Sequence, residues 1–282
     1  MMPRHRNRPD SADWKADLAD GLRGHADLDR LPLSDDERAA IAPAAATYKV
    51  RAPRHYLALV DWSDPDDPIR RQVIPSAAEL DWDPRESPDP IGDHRHSPVP
   101  RLTHRYPDRV LLYPTYHCSV YCRHCFRKEA INDTDGGYSR AAMAPALAYV
   151  AEHPALREVI LTGGDPLLLA DKQLAELRAD VESIAHLRLL RVHTRIPVAL
   201  PSRITPDVIA ALRGNGRLMV CVVTHFNHPR EITPESAHAC RLLREAGFML
   251  LNQTVLLRGV NDDPATLRTL FQELVYTLGA KP

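Results

Sequence analysis

The chain has 282 residues, 44% hydrophobic and 26% charged, with 36 basic against 37 acidic side chains. That balance fits a globular protein of one large domain or two small ones, and a formal charge of −1 argues against bulk electrostatic binding to nucleic acid or an anionic membrane. Apolar runs such as Leu218–Val223 are far shorter than the roughly 20 residues a bilayer span needs. The basic start MMPRHRNRPD has no apolar segment behind it, so no secretory signal is read there and a cytoplasmic location is expected.

Proline is uneven, with 15 of 25 before Tyr116, so residues 1–104 are expected to form a region of short helices and extended, turn-rich connections. Ser34 and Glu37 form a capping-box pattern opening a short helix before Pro43. Trp62–Pro68 (WSDPDDP) is turn chemistry, and Asp81–Pro100, with five prolines, reads as an extended strap. After Arg105 the texture changes. Apolar runs at Val110–Thr115, Glu158–Gly163, Leu189–Thr194, Leu218–His225 and Phe248–Leu256 alternate with helical spacing at Ala141–Glu152, Asp171–Ile184, Thr205–Leu212, Thr233–Ala246 and Pro264–Thr277. Strands alternating with helices mean βα units and a parallel sheet, so residues 105–282 are expected to form a partial α/β barrel. Polar residues gather at the C-terminal strand ends, where βα barrels place their active sites.

The chemistry concentrates in His117–Cys125, where Cys118, Cys122 and Cys125 make the spacing CxxxCxxC directly after the first of these runs. Three thiols without an evident disulfide framework suit a reducing compartment and a metal-binding role. A structural zinc site would want a fourth ligand, which His117 or His124 could supply, but no second CxxC exists. A [4Fe–4S] cluster would use the three thiolates and leave one iron open. Cys221 and Cys240 have no partner at ligand spacing and read as small buried hydrophobes.

CxxxCxxC after the first strand of a βα barrel resembles the radical S-adenosylmethionine (SAM) enzymes. The segments DPDDPIRRQVIPS, HRYPDRVLLYPTYHCSVYCRHCFRK, LTGGDPLLL, RVHTRIPVALPSRIT, THFNHPREITPE and NQTVLLRGVND, in that order between Asp64 and Asp262, resemble the lysine 2,3-aminomutase family. That resemblance implies a (β/α)6 barrel with about five βα units present, and Cys118, Cys122 and Cys125 as cluster ligands. It places His124 near the SAM adenine, Gly163, Gly164 and Asp165 around the SAM amino group, and His225 and Gln253 among further SAM contacts. It assigns Arg105, Tyr106 and Arg109 to the phosphate of pyridoxal 5′-phosphate (PLP), to which arginine forks are suited. Arg127 would grip the substrate α-carboxylate, with Lys128 near the same mouth.

The same resemblance implies conversion of L-lysine to L-β-lysine through a 5′-deoxyadenosyl radical, or the same shift on glutamate, arginine or a protein-bound lysine. The partners implied are a small amino-acid substrate and a one-electron reductant such as flavodoxin or ferredoxin. The five lysines are Lys15, Lys49, Lys128, Lys172 and Lys281, and none lies in the glycine-rich segment that anchors PLP in the family. The chain is thus expected to stop before the last barrel strand and the PLP lysine, leaving a barrel edge open and compatible with a homo-oligomer. A zinc-binding module and an inactive remnant are the competing expectations.

Overall fold

Runs of β-branched and aliphatic residues form five parallel strands: β2 (Arg109–Thr115), β3 (Glu158–Gly163), β4 (Leu189–His193), β5 (Met219–Thr224) and β6 (Met249–Asn252). Val220–Thr224 of β5 are all buried, the near-continuous burial of a parallel strand covered on both faces. The computed structural model describes residues 13–81, 83, 85–128, 131 and 136–282. A further strand, β1 (Leu102–Tyr106), was not expected; it pairs antiparallel with β2 (Leu102↔Leu112, Tyr106↔Arg109). The sheet order is β1-β2-β3-β4-β5-β6. The result is a mixed α/β fold, a partial (β/α) barrel with a helical N-terminal region.

Helices α5 (Arg140–Glu152), α6 (Asp171–Ser183), α8 (Pro206–Arg213), α9 (Pro234–Glu245) and α10 (Pro264–Tyr276) cover the sheet, with the single turn α7 (Ile196–Ala199) after β4. Thr205, Thr233 and Asp263 each accept a backbone N–H at a helix start, and proline follows at the first helical position. Each crossover returns the chain to the same end of the sheet. All five parallel strands therefore deliver their C-terminal loops to one rim.

The N-terminal region contributes α1 (Asp13–Ala19), α2 (Asp35–Thr47), α3 (Arg54–Leu57) and α4 (Arg70–Val73). It shares one core with the sheet: Leu22, Tyr56, Ile69 and Val73 belong to the same buried cluster as Leu112, Leu161, Val192 and Val222. The capping box at α2 forms, with the Ser34 amide donating to Glu37 at 2.8 Å and the Glu37 amide to Ser34 Oγ at 3.2 Å. The helix does not stop before Pro43 but continues to Thr47. Proline costs the ladder a donor, yet burial of Ala44 and Ala45 holds the last turn in place.

At the far edge, Lys281 pairs in parallel with Leu251, its N–H donating to Leu250 at 3.0 Å while its carbonyl accepts from Asn252 at 2.8 Å. This is an isolated bridge outside the six strands. Among the described residues no helix is long and apolar enough to cross a membrane.

Candidate active site

The cysteine loop leaves β2 at the rim and is fixed from both sides. Thr115 Oγ1 accepts the His117 N–H at 3.0 Å, and the Tyr121 and Arg123 amides donate to the carbonyls of Arg51 and Gln72, each at 2.9 Å. Arg123 also forks onto Glu79 at 2.9 and 2.6 Å. Cys118, Cys122 and Cys125 are half-buried free thiols, while Cys221 and Cys240 are buried singly, as their isolated spacing suggests. Burial, then neighbouring charges that include Asp165 and the two other thiols, pushes Cys118 well above the usual thiol range; burial with Cys122 pushes Cys125 up to about 11. Three mutually interacting thiols in a dry loop need a positive charge to become thiolates together.

Arg195, just beyond β4, is placed to help supply it. It is 6% exposed, and its guanidinium donates to Cys122 Sγ at 2.7 Å, Tyr56 Oη at 2.7 Å, Gln72 Oε1 at 2.6 Å and Glu231 Oε1 at 2.7 Å. Tyr56 donates to the same Glu231 oxygen at 2.5 Å, and Asn227 donates to Gln72 Oε1 at 3.0 Å and through its amide to Glu231 at 2.6 Å. The loop is thus tied through one arginine to α3, α4 and the segment after β5. Sequence reasoning missed Arg195, Gln72 and Glu231, although they stand in the quoted RVHTRIPVALPSRIT, DPDDPIRRQVIPS and THFNHPREITPE stretches; Tyr56 lies outside all of them.

Gly163 and Gly164 hold the loop from the β3 side. Gly163 has φ +99°, and a Cβ at Gly164 would lie 2.4 Å from the His117 carbonyl oxygen. The close approach these glycines permit is therefore to the chain's own cysteine loop, with Gly164 donating to Thr115 at 2.7 Å and Asp165 to His117 at 2.9 Å. The Asp165 carboxylate is buried and accepts from Thr194 Oγ1 at 2.7 Å and from the Arg195 and Leu167 amides at 2.8 and 3.1 Å. Burial raises its pKa to about 6 against those donors. In this structure Asp165 organises the end of β4.

At the ends of β4, β5 and β6, His193, His225 and Gln253 come together. The histidine ring centroids are 5.6 Å apart, and Gln253, through its side chain toward His193 and its backbone toward His225, partly opposes the effect of burial on both rings. Burial lowers His193 to about 4 and His225 to about 3, so both are neutral donors and acceptors at neutral pH. His193 was the missed member; the strand-end rule that selected His225 would have found it. His124 is lowered to about 3, chiefly by burial.

Arg127 donates to Asp93 at 2.7 Å and stacks on Phe126 at 4.3 Å, beside the Tyr113 hydroxyl. The arginine expected to grip a carboxylate thus holds one of the chain's own. Arg105 donates to the other Asp93 oxygen at 2.9 Å. Tyr106 is exposed, and Arg109 bonds Asp108 at 3.0 Å and lies over the Tyr106 ring. Tyr106 and Arg109 flank the β1–β2 turn, at the opposite end of β2 from the cysteines. Lys128 lies over Tyr48 at 4.0 Å and 3.8 Å from Glu79.

The donor set fits an iron–sulfur cluster with a ligand beside it. Three buried polar atoms in or touching the loop have no partner: Ser119 Oγ, His124 Nδ1 and Arg195 Nε. Buried orphans of this kind call for a bound group. Among the described residues no three His, Cys, Asp or Glu side chains stand close enough for a single ion. A cluster instead takes each thiolate on a separate iron.

Comparison with known proteins agrees with this loop. Residues 112–270 match the family described as "Radical SAM superfamily". L-lysine 2,3-aminomutase of Clostridium subterminale is 41% identical over 264 residues, covering 93% of this chain and 63% of that protein. The protein of the same name from Acetoanaerobium sticklandii is 39% identical, with 96% of this chain and 65% of that one covered. For Escherichia coli the figures are 38%, 98% and 80%. The chain therefore spans less than two thirds of the length of the first two relatives.

Proposed function

The chain belongs to the lysine 2,3-aminomutase family of the radical SAM superfamily, and from that membership we propose that its rim holds a [4Fe–4S] cluster and SAM in the service of a 2,3-amino shift on L-lysine. The observation that carries this reading is the half-buried thiol trio at the end of β2, with the Arg195 guanidinium on Cys122. When bound, the cluster delivers one electron to SAM, whose cleavage supplies a carbon radical for hydrogen abstraction.

The chain's own residues have separable tasks in this reading. Cys118, Cys122 and Cys125 ligate iron, and Arg195 offsets their negative charge from a buried position. His193, His225 and Gln253 offer uncharged hydrogen bonds at the rim, suited to ribose or adenine edges. Gly164 and Asp165 hold the loop against β3 and β4. Arg127 exchanges the Asp93 carboxylate for that of the amino acid. PLP dependence rests on the family resemblance alone, and no step is assigned through it.

Anaerobic reconstitution with iron and sulfide tests the reading. Three to four irons per chain are expected, as is 5′-deoxyadenosine on adding SAM and dithionite, with both lost in Cys122→Ala. Stoichiometric zinc in a colourless protein that takes up no iron would overturn it.

A further inference from the structure

Beside the cysteine loop lies a cavity of about 620 Å³ that the chemistry above does not use. Its lining includes Arg23, His25, Lys49, Arg51, His117 and Tyr121, and no acidic side chain is among its described lining residues. Asp27, close to Arg23, accepts the Arg23 amide at 2.7 Å and is paired with Arg30 at 3.3 Å. A concentration of basic groups is notable in a chain whose formal charge is −1.

The cavity wall is continuous with the cluster loop. Arg51 donates to the carbonyl of Cys118 at 3.2 Å, and its own carbonyl accepts the Tyr121 amide at 2.9 Å. The Lys49 carbonyl accepts from Arg123 at 3.0 Å. His117 and Tyr121 are cavity residues immediately preceding Cys118 and Cys122. A redox centre docked here would stand one side chain and one hydrogen bond from a cluster ligand.

We propose that this basic cavity is the docking surface for an acidic, low-potential one-electron carrier protein that reduces the cluster; the proposal rests on the cluster reading above. One electron leaves the reduced carrier, which becomes its one-electron-oxidised form, and enters the cluster, which passes from the 2+ to the 1+ state. No proton or bond is transferred. Opposite charge at the rim steers the encounter, and the Arg51–Cys118 contact gives a short path for the electron.

The experiment follows bleaching of the reconstituted cluster in stopped flow, using reduced flavodoxin as the acidic carrier. Arg23 and His25 are both exposed, so the double substitution Arg23→Glu and His25→Glu leaves the loop's hydrogen bonds intact. At low ionic strength the variant is expected to be reduced about tenfold or more slowly than the unaltered protein. The difference should fade as salt screens the surface, and dithionite should reduce both proteins to the same final extent. Lys49→Gln should give a smaller slowing in the same direction. A carrier-driven rate unchanged in the double variant, with normal bleaching by dithionite, would overturn the docking surface alone. Absence of bleaching with either reductant would overturn the cluster reading and this proposal together.

Discussion

Arg195 carries more of the site than any other single side chain outside the cysteine trio. Its Nη2 has two hydrogens and faces three oxygens, those of Tyr56, Gln72 and Glu231, while Nη1 faces the Cys122 sulfur. Removing the guanidinium would leave Glu231, which is 0% exposed, without its cation. Breaking a buried pair in this way costs about 3–5 kcal/mol, so Arg195→Gln should lower the urea midpoint sharply. Tyr56→Phe removes only the hydroxyl and should cost about 1–2 kcal/mol by the same measurement. A second residue-scale expectation concerns Gly164. An alanine methyl there would meet the His117 carbonyl oxygen at 2.4 Å and the His117 amide nitrogen at 2.6 Å, and backbone cannot yield as a side-chain tip can. Gly164→Ala should displace the cysteine loop, costing about 1–3 kcal/mol, and reduce iron incorporation. Unchanged iron content would show that the packing of β3 against the loop is not what positions the thiols.

At the scale of elements, hydrophobic period and cap chemistry made most of the fold legible. The five apolar runs became β2 to β6, and the helices expected at Thr205–Leu212 and Thr233–Ala246 begin at their Thr-Pro pairs. β1 escaped because LTHRY is short and polar; it becomes a strand only by pairing with β2. The Arg105–Arg109 stretch therefore lies across a hairpin turn. The Arg195 network escaped for a different reason: its partners lie 36 to 139 positions away, and only the folded barrel brings them together. The capping box at α2 was fully local, and it makes a pH-dependent prediction. The Ser34 amide, then the Arg70 side chain, lower Glu37 from 4.5 to about 2. A folded-state pKa below the unfolded one contributes stability that is fully present above about pH 4.5 and is lost as pH falls through the folded value. The gap in Tm between the unaltered chain and Glu37→Gln should hold steady above about pH 5 and shrink as pH falls from about 4.5 toward 2. A gap that widens on acidification would contradict the assigned sign.

For the whole molecule, the decisive feature is that the sheet has two ends. Its order runs from β1 to β6 without β6 returning to β1, so the described strands form an open arc rather than a closed barrel. Only the bridge at Lys281 begins to cover β6. Beside that edge the loop after β6 exposes Leu256 at 71%, and α10 exposes Tyr276 at 81% and Val275 at 46%. Unpaired strand edges and exposed apolar side chains both favour association with another chain. The near-zero net charge supplies little repulsion to oppose it. Sedimentation of the 282-residue chain should therefore show a mass that rises with concentration. Because the driving surface is apolar, association should persist in high salt, unlike the charge-steered encounter at the basic cavity. Leu256→Glu combined with Tyr276→Glu should shift the equilibrium toward monomer, since each replaces an exposed apolar side chain with a charged one. A monomer at every concentration would mean that the short β6 edge and the Lys281 bridge are enough to close this face. Loss of iron in the double variant would instead tie the open edge to the site.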